Sequence, residues 1–118
     1  MTDTLRIQIE AMNGVRVPRT HVMERMRHAL ERVRRRPIEA RVVFADVNGP
    51  KGGADIRCLV LVALPGQPAL RVEAVAAPAR VAFDDACDRL VRRLHRAAER
   101  WRELGRRPKK YYVAQRLE

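Results

Sequence analysis

The spacing of apolar residues along this chain switches between two periods, and the order of the switches leaves few folds open. "TLRIQI" alternates, with Leu5, Ile7 and Ile9 on one side and Arg6 and Gln8 on the other, the pattern of a strand buried on one face. "NGV" at 13–15 breaks it. Pro18 then suits the first turn of a helix, and "RTHVMERMRHALERVRRR" places Val22, Met26, Ala29, Leu30 and Val33 at helical spacing until Pro37 stops it. Three alternating runs follow. "IEARVVFADV" turns Ile38, Ala40, Val42 and Phe44 inward, "DIRCLVLVAL" does so with Ile56, Cys58, Val60, Val62 and Leu64, and "ALRVEAVA" with Leu70, Val72 and Ala74. A long helix over about residues 80–104 carries the stripe Phe83, Cys87, Leu90, Leu94, Ala97, Trp101 and Leu104, with Gly105 and Pro108 as its stop.

The order β-α-β-β-β-α predicts an α+β fold. A right-handed crossover makes the first two strands parallel neighbours, and hairpins add the other two. The result is a four-stranded mixed sheet with two roughly parallel helices on one face. The opposite face is open and mixed, with Val43, Leu59 and Leu61 towards its middle. Residues 1–104 are expected to form the domain and 105–118 a basic tail. No internal repeat is visible.

Charge decides the class of partner. The chain has 25 basic against 14 acidic residues, a net charge of +11, and all the basic residues except Lys51, Lys109 and Lys110 are arginine. A small domain this basic is drawn to polyanions, nucleic acid first among them. No apolar run is long enough to span a bilayer, no leader pattern opens the chain, and no helix joins a basic face to bulky exposed aromatics as a membrane-surface helix would. Cys58 and Cys87 lie in apolar patterns, as reduced thiols of a cytoplasmic protein do. His21, His28 and His95 have no metal-ligand spacing to either cysteine, and no nucleophile–base pair can be argued. Neither catalysis, a metal, a cofactor nor a small-molecule substrate is expected.

"DVNGPKGGAD" at 46–55 looks at first like a phosphate loop. A Walker-type loop needs its lysine after the glycines, then Ser or Thr and a helix. Here Lys51 precedes Gly52 and Gly53, and a strand follows, so the run reads as a hairpin connection, with Lys51 a charge at its tip that is expected, like Lys109 and Lys110, to contact RNA. The last helix is more informative. At 100° per residue Arg89, Arg93, Arg96, Arg100 and Arg107 fall within an arc of about 60°, beside the apolar stripe and free of acids. Arg25, Arg32 and Arg36 take the equivalent flank of the first helix. A solvated, salt-bridged face is the bland reading. Against it, like charges four apart repel, whereas guanidinium forks grip phosphate. Asp84 and Asp85 read as first-turn carboxylates facing the helix dipole. Trp101 reads as core. Tyr111 and Tyr112, after Lys109 and Lys110, suit either stacking on unpaired bases or docking back on the domain.

The element order, with "IEARVVF", "DVNGPKGGADIRC" and "AFDDACDRLVRRLHR", resembles the ribosome hibernation-promoting factor and ribosome-associated inhibitor A family in its short form. The family's last helix has the form Ala-Ile-Asp-x-x-x-Asp-Lys-Leu-x-Arg-Gln-Leu, and Ala82, Asp84, Asp88, Arg89, Leu90, Arg92 and Leu94 fall on it, with Arg89 for Lys and Arg93 for Gln. The first helix departs more, lacking the acid-rich start and the aromatic before the second strand. The resemblance implies a stress-response factor that binds the small ribosomal subunit and its rRNA near the decoding centre and stops translation. It implies phosphate contacts from Arg89, Arg92, Arg93 and Arg96. Two alternatives stand beside it: a protein-interaction or dimerisation module using the open sheet face, and a regulator bound to another RNA.

Overall fold

A computed structural model describes residues 5–12, 14–47 and 55–106. Its elements are β1 (Leu5–Ala11), α1 (Arg19–Leu30), β2 (Ile38–Asp46), β3 (Ile56–Ala63), β4 (Leu70–Ala76) and α2 (Ala79–Arg106). The strands lie side by side in the order β1-β2-β3-β4. β1 pairs parallel with β2, Leu5 opposite Ile38, and the other two pairings are antiparallel. The expected α+β architecture is therefore present.

Alternation along the strands puts Ile38, Val42, Phe44, Cys58, Val60 and Val62 wholly out of solvent, against Val22, Met26 and Leu30 of α1 and Phe83, Ala86 and Leu90 of α2. Aromatics are few, and the only two phenylalanines are spent at the centre, Phe44 and Phe83 lying 6.5 Å apart between sheet and α2. No polar or charged side chain among the described residues is buried, so apolar burial is not offset there by the cost of desolvating a polar group. Both cysteines are free and buried, and burial pushes the Cys58 thiol up to about 12.

Two helix limits differ from the sequence reading. α1 stops at Leu30, six residues before Arg36. The Val33 N–H still bonds the Leu30 carbonyl, and Val33 packs against the core from outside the helix. Arg36 precedes a proline, whose ring disfavours helical backbone at that residue. At the other end α2 continues through Gly105 to Arg106, since one glycine costs a long helix only about 1 kcal/mol.

The register of α2 on the edge strand positions the candidate site. Arg89 reaches the carbonyl of Glu73 and Arg93 that of Arg71. Four helix residues, about 6 Å, thus span two strand residues, about 7 Å. Continued at that rate, α2 draws level with Leu70, where β4 begins, close to residue 95. Its last three turns run past the end of the sheet. β2 starts at the same end, because Glu39 pairs with Ala63 and Leu70 with Val62. The connection from α1 to β2, which carries Arg32, Arg34, Arg35 and Arg36, therefore lies beside the overhanging turns of α2.

Candidate nucleic-acid interface

Among the described residues, carboxylates and arginines pair in two main places, while Glu31 lies apart, 3.3 Å from His28. On the open sheet face Glu10 pairs with Arg41 at 2.8 Å, Glu73 with Arg57 at 3.2 Å and Arg71 at 3.1 Å, and Glu39 lies 4.0 Å from Arg6. These pairs frame the half-buried Val43, Leu59 and Leu61. In the seam between the helices, Oδ1 of Asp84 accepts a hydrogen bond from Arg25 Nη1 at 3.1 Å and lies 2.7 Å from His21 Nε2, while Arg25 Nη2 donates to Asp88 at 3.2 Å. Arg80 approaches the other Asp84 oxygen at 3.9 Å. Partial burial works against ionisation of Asp84, but the hydrogen bonds from His21 and Arg25 outweigh it and hold the carboxyl below its ordinary range.

The flank of α2 beside β4 is rich in arginine. Arg89, Arg92, Arg93, Arg96 and Arg100 are exposed, and no carboxylate of the described residues lies within 4.0 Å of any of them. β4 is an edge strand, whose outward carbonyls lack a ladder partner. Arg89 and Arg93 lean onto two of them, the second at 3.3 Å. A carbonyl accepts a hydrogen bond without cancelling the guanidinium charge, so the two stay cationic while fixed in place. Among the described residues Arg92, Arg96 and Arg100 make no such contact, and Arg100 stands on the turns that overrun the sheet.

The ridge expected on α1 does not form. Arg25 points into the helix seam, one-third exposed and engaged by two carboxylates, because the half-buried Asp84 and the more exposed Asp88 both reach towards α1. α2 begins at Ala79, so Asp84 sits in its second turn and is a clamp between helices, not the first-turn carboxylate that the sequence suggested. Arg32 and Arg36 lie past the end of α1, where Arg36 Nη2 donates to the Leu30 carbonyl at 3.4 Å and so satisfies the helix terminus. Lys51, Arg107, Lys109, Lys110, Tyr111 and Tyr112 fall outside the described residues.

One residue pair went unread in the sequence. The Arg35 guanidinium carbon lies 4.9 Å from the ring centroid of Trp101. The signal available was the run "RVRRRP", four arginines crowded ahead of a proline; its partner on α2, 66 residues away, was not. Among the described residues no group of histidine, cysteine or carboxylate side chains is placed to hold a metal ion, and no helix is long and apolar enough to cross a membrane.

Compared with known families, residues 6–102 match the family described as Sigma 54 modulation protein / S30EA ribosomal protein. Among solved structures the chain is similar to the N-terminal domain of Protein Y from Thermus thermophilus, with 25% identity, a TM-score of 0.61, and coverage of 75% of this chain and 93% of that one. It also shares its fold with a ribosomal subunit interface protein from Coxiella burnetii, at 17% identity and a TM-score of 0.58, covering 80% of this chain and 98% of that one. No curated protein sequence matches it.

Proposed function

The chain belongs to the Sigma 54 modulation protein / S30EA ribosomal protein family, and from that premise we propose that it is a ribosome-associated hibernation factor that lays the arginine flank of α2 on small-subunit rRNA and so arrests translation. The observation that carries this reading is the division of charge. Carboxylates match the arginines of the sheet face and of the helix seam, while five on one side of α2 have no carboxylate within 4.0 Å among the described residues. Unmatched guanidinium groups along a helix engage phosphates bidentately, and such contacts position a protein without reading sequence. The proposed action is occupancy of an RNA-lined site, with no covalent step. The names of the two solved relatives, a Protein Y domain and a ribosomal subunit interface protein, support ribosomal association.

The test uses arginines that make no hydrogen bond or ion pair among the described residues. Arg92→Glu, Arg96→Glu and Arg100→Glu together should abolish co-sedimentation with small ribosomal subunits at moderate salt and leave the circular dichroism spectrum unchanged. A folded triple variant that still pellets with subunits rules the assignment out.

A second reading draws on the sheet face. Its charges are matched and its middle holds half-buried Val43, Leu59 and Leu61, with Val75 half-exposed beside them, which suits a second copy of this chain better than RNA. Leu61→Glu should then abolish self-association in sedimentation equilibrium. A wild-type protein that is monomeric at high concentration removes this reading.

A further inference from the structure

We propose that Arg35 and Trp101 form a stacking site for an unpaired RNA base, a proposal that rests on the RNA reading above. Trp101 is the only tryptophan of the chain, and its indole is half-buried on α2, just past the point where the helix leaves the sheet. Arg35, from the connection between α1 and β2, covers it at cation–π distance. Arg35 is exposed, and among the described residues no carboxylate or carbonyl holds its guanidinium.

A guanidinium is a flat group with two faces and an edge of five N–H donors. The Arg35 guanidinium carbon stands over the indole, and no hydrogen bond or ion pair from the described residues engages its donors. A base placed on the face away from the indole completes a stack of base, guanidinium and indole, and the edge remains available for the neighbouring phosphate. Stacking of this kind accepts any base, because each presents a π face. Placement adds to the argument. Trp101 stands on the same overhanging turns of α2 as Arg100, about 100° round the helix from it, so a strand that follows the cationic flank would round the helix end to meet this pair.

The plain alternative is a latch, with Arg35 doing no more than tying the connection to α2. Arg35→Lys separates the two. Lysine keeps the charge and the attraction to the indole but has no planar face for a base.

The experiment uses the full chain and a short single-stranded oligoribonucleotide bearing one 2-aminopurine flanked by uridines, whose emission falls when the base stacks. Fluorescein anisotropy on the same oligonucleotide reports total binding. Saturation with wild type should lower the emission about two-fold or more. Arg35→Lys should bind within about two-fold of wild type yet lose most of the emission change. Trp101→Leu, which removes the platform beneath, should lose it too. Emission that falls equally with Arg35→Lys overturns the proposal, because the base then stacks elsewhere or the pair is only a latch. Anisotropy that rises without any emission change overturns this site alone. Anisotropy that does not rise also overturns this site, and co-sedimentation with small subunits then decides the RNA reading separately.

Discussion

Asp84 gathers His21 and Arg25 from α1 on one carboxylate oxygen, and through that atom the two helices are joined by polar bonds as well as apolar contact. The group is one-third exposed, so solvent screens part of each interaction. With that discount, Asp84→Asn should cost about 1–2 kcal/mol. The pH dependence has a fixed sign. The folded carboxyl titrates below its ordinary value of 3.8, so its contribution is complete above that value and disappears as pH falls through the lower, folded one. Denaturant unfolding of wild type and Asp84→Asn should therefore show a stability gap that is constant at neutral pH and closes below about pH 4. A gap that persists unchanged at pH 3 would mean that the carboxylate charge is not what joins the helices. Periodicity identified the helix that carries Asp84 but not its partners, 63 and 59 residues distant, and for that reason the residue read as a partner of its own helix dipole.

At the scale of elements, strands and helices were legible because each has one buried face and a regular period. Ile38, Ala40, Val42 and Phe44 follow from alternation alone, and all are buried. The end of α1 was not legible, since "ERVRRRP" continues the helical spacing of Val33 while the proline disfavours helical backbone only at the residue before it. The arginine column of α2 was likewise readable from 100° steps. Its neighbour was not, because a backbone carbonyl on a strand edge leaves no mark in a sequence. That neighbour gives Arg89 and Arg93 a second role as covers of β4. Arg89→Ala combined with Arg93→Ala should lower stability by about 1–2 kcal/mol, as lost charge-assisted hydrogen bonds do. Left bare, the β4 edge should also template strand pairing between copies. Sedimentation velocity should show concentration-dependent association in this double variant and none in Arg92→Ala with Arg96→Ala; equal behaviour of the two pairs would deny β4 its covers.

Over the whole molecule the question is whether a charge of +11 acts as a diffuse cloud or as a placed surface. Composition cannot decide, because pairing is tertiary: Arg41, Arg57 and Arg71 count the same in a sum as Arg92, Arg96 and Arg100, yet only the first three sit on carboxylates. Salt dependence of binding separates the two cases. Each phosphate neutralised releases condensed counterions and contributes about −0.7 to −0.9 to the slope of log affinity against log salt. Arg92→Gln, Arg96→Gln and Arg100→Gln should each reduce the magnitude of that slope for small ribosomal subunits by about that amount. Arg41→Gln and Arg71→Gln change the net charge equally but remove groups whose field a neighbouring carboxylate already cancels, so they should leave the slope where it was. The five variants form a matched set, alike in charge and different only in position. If all five flatten the slope alike, the cloud is sufficient and the flank of α2 has no special part in binding. If only the first three do, the ribosome meets this protein along the side of α2 whose arginines pair with no carboxylate of the described residues.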